Sequence, residues 1–175
     1  MTFQDVTRWS DVQTAEPDFA KAVEARFAPY RHHVLGTLRA DGAPRLTGIE
    51  ADFKDGELWL GMMPGSRKAL DLRRDPRFAL HANPGGGAEM AEGDVRVSGR
   101  AVEVTDPDVL AAYAAGAPEG EVPDVFHLFR ADVREVTRVS IEMPDIVFRV
   151  WNPGRALRTI RRGNDDAPAR EDQRS

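Results

Sequence analysis

The chain contains no cysteine, which removes disulfides, thiolate metal sites and cysteine nucleophiles and fits a reducing compartment. No apolar run approaches the ~18 positions that a membrane helix needs. Residues 1–18 also lack a basic start followed by an apolar stretch, so the expectation is a cytoplasmic protein without a membrane partner. Positive charge is not in excess either: 24 Lys and Arg stand against 29 Asp and Glu, a net charge of −5. That balance argues against nucleic acid as a partner, although basic clusters remain at Arg73-Arg74 and across 155–162. No internal repeat is visible. What is present is 175 residues, 41% apolar and 30% charged, enough for one domain with a sizeable core. We expect that domain, with an N-terminal helix, over 1–162. Residues 163–175 are polar and poor in apolar side chains, and are expected to form a disordered tail.

From Pro17, a favoured first helical residue, Phe19, Val23 and Phe27 recur at four-residue spacing and mark a helix. Runs 34–38, 45–53 and 58–63 then read as strands separated by Asp41-Gly42 and Asp55-Gly56. Asp-Gly between apolar runs is a strong hairpin signal, and two in succession predict an antiparallel meander. Further strands are expected at 77–82, 95–104 (Val95, Val97, Gly99 and Ala101 alternating), 125–130, 133–141 and 146–151. A short helix opens at Asp106-Pro107 and runs through Tyr113, 117–123 reads as loop, and 155–162 reads as a helical turn or two. So many short strands at close spacing exclude a doubly wound parallel sheet and fit a small antiparallel barrel, mainly β with short helices. Pro84-Gly85-Gly86-Gly87 reads as a flexible connection, because no helix follows the glycines as a dinucleotide fingerprint would require.

The segment Gly65-Ser66-Arg67-Lys68-Ala69, between a strand-like run and a helix closed by Asp75-Pro76, has the pattern of a phosphate cradle. Gly65 frees the backbone to turn, Ser66 is a preferred N-cap, and the first amides of a helix point at an anion with the positive end of its dipole behind them. Arg67 and Lys68 in the first turn oppose that dipole, a cost that a bound dianion would reverse. An ordinary capped surface helix carrying basic residues is the competing reading.

Other candidate sites fail on geometry. His32 and His33 are adjacent, so in an extended strand they face opposite ways and do not share a metal. His81 and His127 fall in strands and read as packed or edge residues. Ser66 has no Gly-x-Ser-x-Gly context for a nucleophile. Glu50 and Asp52 share a strand face, where two solvated carboxylates are commoner than an acid/base pair. No metal site is expected and no catalytic side chain is named.

The order Pro44-Arg45-Leu46-Thr47-Gly48-Ile49-Glu50, Asp55-Gly56, Gly65-Ser66-Arg67-Lys68-Ala69, Asp75-Pro76-Arg77 and Val95-Arg96-Val97-Ser98-Gly99-Arg100-Ala101 resembles the pyridoxamine 5′-phosphate oxidase-like proteins, the flavin-binding split β-barrels. The resemblance covers roughly 30–161. It implies an antiparallel split β-barrel of the FMN-binding type, assembled as a homodimer with the cofactor between the chains. It implies that Ser66, Arg67 and Lys68 hold the FMN phosphate, and that the strand Arg45, Leu46, Thr47 and Gly48 runs alongside the flavin. Gly61 and Met62 would border the ring or ribityl chain, and Trp151 and Arg161 would complete the site.

The departures from that family carry information as well. Glu50 and Asp94 stand where the oxidases have lysine and glutamine, and Leu157 and Thr159 stand where they have the arginine and histidine that bind the vitamin. The resemblance therefore implies an FMN-dependent oxidoreductase that passes a hydride to or from a small organic substrate other than pyridoxamine phosphate. The Leu72-Arg73-Arg74-Asp75-Pro76-Arg77 style is similar to the actinobacterial flavin and deazaflavin branch, which makes the deazaflavin coenzyme the alternative cofactor. A non-catalytic flavin- or haem-binding protein would use the same cradle.

Overall fold

The structure is a computed structural model that describes residues 6–85, 93–117 and 122–172. Two short helices open it, α1 (Trp9–Ala15) and α2 (Pro17–Phe27). Pro17 stands in the first turn of α2, and the expected stripe of Phe19, Val23 and Phe27 is buried. The sequence reading missed α1, whose single turn of apolar contacts (Trp9 and Val12) is too short for a periodic signal.

Ten antiparallel strands follow: β1 (His33–Leu38), β2 (Pro44–Ile49), β3 (Ala51–Lys54), β4 (Glu57–Met62), β5 (Arg77–His81), β6 (Asp94–Val104), β7 (His127–Glu142), β8 (Asp145–Trp151), β9 (Arg158–Arg162) and β10 (Arg170–Glu171). Helix α3 (Arg67–Arg74) lies between β4 and β5, and α4 (Pro107–Ala115) between β6 and β7. The main path of the sheet is β10-β9-β8-β7-β6-β5-β1-β2, and β3 pairs with β4, which pairs with β7. Strand β7 therefore forks. Its first residues pair with β4 on one side, its last with β8, and β6 follows nearly its whole length. Among the described residues β2 and β3 each have one paired edge only, so the barrel is split and not closed.

Several elements differ from the sequence expectation for definable reasons. The run 45–53 is two strands, because β2 pairs with β1 while β3 pairs with β4, and the chain changes partner at Glu50. The two hairpins are thus real, but they do not form a meander. At Asp55-Gly56 both residues take positive φ (54° and 73°), as a tight two-residue turn requires. At Asp41-Gly42 only Gly42 does; the turn is longer, closed by Arg39 N–H donating to Ala43 O at 2.8 Å. Residues 127–142 form one strand where two were expected. Opposite Ser98 and Gly99 the register shifts by one residue, so Arg134 of β7 has no partner on β6 and the alternation along β7 is broken there. Gly99 is required there, since a Cβ would stand 2.0 Å from Asp132 O.

Residues 158–162 are strand β9 and not helix, drawn into register by β8. Among the described tail residues, to Asp172, β10 pairs with β9, and Arg158–Glu171, Arg161–Asp172 and Arg170–Asp145 form ion pairs. Parts of the expected loops, 86–87 and 118–121, and the last tail residues, 173–175, lie outside the described residues.

The core fills the barrel. Leu35, Leu58, Leu60, Leu80, Val95, Val97, Phe129 and Val136 meet there, and α1 and α2 close one end with Trp9, Val12, Val23 and Phe27. Each such side chain contributes about 1.5–3 kcal/mol on burial. Ser10 N–H donates to Gly56 O at 2.8 Å, tying α1 to the β3–β4 turn.

Candidate functional site

Ser66 is the N-cap residue of α3, with extended backbone (φ −60°, ψ 142°), as the sequence predicts. Its hydroxyl does not cap the helix; Oγ is buried and has no partner. Arg67 is exposed and makes no hydrogen bond or ion pair among the described residues. Lys68 Nζ donates to Gly48 O at 2.6 Å, joining the first turn of α3 to β2. Burial pushes the Lys68 ammonium below the ordinary lysine value, and the Glu50 carboxylate opposes this without reversing it. An orphaned hydroxyl, an unpaired guanidinium and an ammonium short of counter-charge thus meet at one helix start, a donor set that suits a phosphate.

The rest of α3 is fastened to the sheet from beneath. Ala69 and Leu72 are buried, and between them Asp71 accepts from Arg45 Nε at 2.6 Å, Thr37 Oγ1 at 2.9 Å and Arg74 Nη2 at 3.1 Å. Burial alone would raise the Asp71 carboxyl, but the hydrogen bonds from Arg45, Arg74 and Thr37 outweigh it and hold the group below the ordinary carboxylate value. Arg45, expected beside the flavin, has its Nε committed to this latch and its side chain mostly buried.

Above the latch, a cavity of about 400 Å³ opens where β2 and β4 part. Gly48, Gly61, Met62 and Lys68 line it, together with Tyr113 of α4 and Phe126. Among the described residues nothing lies within 4 Å of the position a Cβ on Gly48 would take, so no contact among them calls for glycine there. On the facing wall, a Cβ on Gly61 would stand 3.3 Å from Tyr113 Oη. The Tyr113 hydroxyl donates to Asp52 Oδ2 at 2.5 Å, and burial with the nearby Asp52 carboxylate pushes it well above the ordinary tyrosine value. Asp52 and Tyr113 also line a second cavity of about 580 Å³, walled by Phe27, Tyr30, His33 and Phe53.

The other expected site residues stand apart from this cleft. Leu46 is 74% exposed. Thr47 Oγ1 donates to Leu35 O at 3.5 Å. Trp151 is a core residue, with Nε1 buried and unpartnered. Arg161 on β9 pairs with Glu142 and Asp172. Neither Trp151 nor Arg161 lines the cavity. Glu50 and Asp52, read as solvated carboxylates, both line the cavity and have separate partners, Arg31 for Glu50 and Tyr113 for Asp52. His33 Nδ1 accepts from Asn83 N–H, and His81 Nδ1 contacts Ala82 O. Sequence reasoning missed Asp71 and Tyr113. An acid inside a basic amphipathic turn was the available signal for the first; the second had none, because its strand partner is remote in sequence.

The architecture is that of the antiparallel split barrels. The family described as pyridoxamine 5′-phosphate oxidase matches residues 19–140, and the chain belongs to it. No curated protein matches the chain. Among solved structures, a pyridoxamine 5′-phosphate oxidase-related, FMN-binding protein from Nostoc punctiforme is 15% identical with a TM-score of 0.59, over 85% of this chain and 96% of that one. A conserved hypothetical protein of Mycobacterium tuberculosis is 26% identical with a TM-score of 0.54, over 69% of this chain and 81% of that one. A haem-binding protein from Mycobacterium smegmatis is 21% identical with a TM-score of 0.57, over 75% of this chain and 57% of that one. No helix among the described residues is long and apolar enough to cross a membrane.

Proposed function

We propose that the chain is an FMN-dependent oxidoreductase whose cofactor lies in the cleft between β2 and β4, with its phosphate on the first turn of α3. The observation that carries this reading is the open space over Gly48 directly beside Lys68, the orphaned Ser66 hydroxyl and the free Arg67. FMN, when bound, supplies a ring that accepts and returns a hydride. The chain's own part is to bind and orient. Ser66, Arg67 and Lys68 hold the phosphate, Gly48 and Gly61 let the ring system approach two backbones, and Met62 and Phe126 supply apolar surface for it. The Tyr113 hydroxyl, held on Asp52, is the polar group nearest the Gly61 wall and fixes the orientation of what lies there. The deazaflavin coenzyme is the alternative occupant, and a protein that binds flavin without turnover would use the same residues.

Titration with FMN, riboflavin and the deazaflavin coenzyme tests the assignment. Lys68→Ala and Arg67→Ala should each weaken FMN by roughly ten- to a hundredfold, the worth of one charge-assisted contact of about 1.5–3 kcal/mol. Riboflavin, which has no phosphate, should bind wild type and variants alike. Unchanged affinity for FMN and for the deazaflavin coenzyme in both variants removes the phosphate assignment. Reoxidation of the reduced cofactor by a specific acceptor, faster than by oxygen alone, separates an enzyme from a carrier.

A further inference from the structure

We infer that His127 is the positioning residue of the phosphate cradle, and that its protonation releases the turn on which the cradle is built; the inference rests on the cofactor reading above. Gly65, the turn residue before Ser66, donates its backbone N–H to His127 Nε2 at 3.1 Å. A backbone amide only donates, so Nε2 carries a lone pair and the ring proton is on Nδ1. That proton points to Glu103 Oε1, 3.2 Å away. Glu103 in turn is held by both arms of Arg73, at 2.8 and 2.6 Å, and Arg73 Nη2 stands 3.3 Å from Nδ1.

The ring therefore touches three elements at once. It is carried at the start of β7, where it is in register with Met62 of β4, and it is contacted by Glu103 of β6, Arg73 of α3 and the 63–66 turn. The charged groups that face it are Glu103 and Arg73. A second proton has one place to go, Nε2, where it meets the Gly65 N–H head on. The hydrogen bond is then lost and two donors face each other. Gly65 has positive φ (65°) and nothing within 4 Å of its Cβ position, and apart from the His127 bond the turn is closed by one backbone bond, Ser66 N–H donating to Met63 O at 3.2 Å. Loss of the bond leaves the 3.2 Å Ser66–Met63 backbone bond to hold the turn alone and loosens the segment that positions Ser66 and Arg67.

Two substitutions separate the ring's two roles. Gln places a carbonyl oxygen near the Nε2 position, an acceptor that does not titrate. Asn reaches only the Nδ1 position, keeping a donor for Glu103 and losing the acceptor for Gly65. FMN and riboflavin dissociation constants are measured from pH 8 to 5 by flavin fluorescence for wild type, His127→Gln and His127→Asn, and the Gly65 amide is followed by NMR in the flavin-free protein. The second proton of the FMN phosphate affects all three proteins equally and cancels in the comparison. Wild type should lose about tenfold more FMN affinity than His127→Gln between pH 7 and 5, because only the imidazole can lose its acceptor lone pair to a proton. Riboflavin affinity should be flat in both, and His127→Asn should be weak for FMN at every pH. The Gly65 amide shift should titrate with the ring in wild type and stay fixed in His127→Gln. A Gly65 amide that does not follow the ring overturns the inference whether or not flavin binds, as do identical FMN profiles for wild type and His127→Gln. A titrating Gly65 amide in a protein that binds no flavin refutes the cofactor reading alone.

Discussion

Gly48→Val gives the sharpest test of the cleft, because it should move stability and binding in opposite directions. In the isolated chain a Cβ at position 48 meets nothing within 4 Å among the described residues. The Lys68 contact survives, since its acceptor is the Gly48 carbonyl and not a side chain. Glycine inside a strand costs roughly 0.5–1 kcal/mol, and valine suits an extended backbone, so the flavin-free variant should be as stable as wild type or more so by about that amount. If a ring system lies against Gly48, the valine forces it to shift. Overpacking of that kind costs about 1–3 kcal/mol, which is roughly a five- to 150-fold loss of affinity. Urea unfolding of the flavin-free protein measures the first quantity and fluorescence titration with FMN the second. Wild-type affinity for FMN in a folded Gly48→Val protein would refute the placement of the cofactor. A fall in riboflavin affinity matching that for FMN would show that the ring end, and not the phosphate end, occupies this space.

Three other outcomes are expected. Asp71→Asn should destabilise the protein by about 3 kcal/mol, the lower end for removing one partner of a buried charge cluster. Because the native Asp71 value is depressed, its stabilisation is full above the ordinary carboxylate range near pH ~4 and fades as the pH falls through the native value. Unfolding at pH 7 and pH 3 should therefore show a gap between wild type and Asp71→Asn that narrows in acid, and a constant gap would exclude the charge. The protein should be a homodimer at micromolar concentration by light scattering. Leu46 is 74% exposed on the open strand, and no residue of the largely apolar α4 is buried; Leu46→Glu should yield monomer, and a monomeric wild type that binds flavin tightly would sink the shared-site geometry. Finally, Leu157 packs against the core and Thr159 pairs with Arg149 across β8 and β9, so neither offers charge to a phosphorylated pyridine. Robust formation of pyridoxal phosphate with FMN saturating would overturn that exclusion.

The parts of the molecule legible in the sequence are those set by local chemistry. The Asp55-Gly56 turn, the stripe of α2, the Asp106-Pro107 start of α4 and the Ser66 start of α3 all depend on neighbours a few residues away, and each stands where its pattern predicts. What was misread depends on partners far along the chain. The run 45–53 looks like one strand because nothing in it reveals that its two halves join different partners. Strand β9 resembles a basic helical turn until β8 lies beside it, and β10 is held by ion pairs that no hydrophobic pattern reports. The site divides in the same way. Lys68, Gly48, Gly61 and Met62 converge on one cavity, while His127 and Tyr113 acquire their parts only from contacts with Gly65 and Asp52, on segments distant in sequence.

The forked strand β7 sets the order in which this protein can be built. It begins at His127, yet it supplies the neighbour of β4, the neighbour of β6 and the ring that holds the Gly65 turn. A chain emerging from the ribosome can close the two early hairpins from local signals, but β4 has an open, apolar edge until β7 arrives. Pairings of such long sequence separation form slowly and expose strand edges in the interval. The cleft is therefore among the last features to form, and a chain stopped within α4 would carry all of residues 65–69 with no fold to hold them in place.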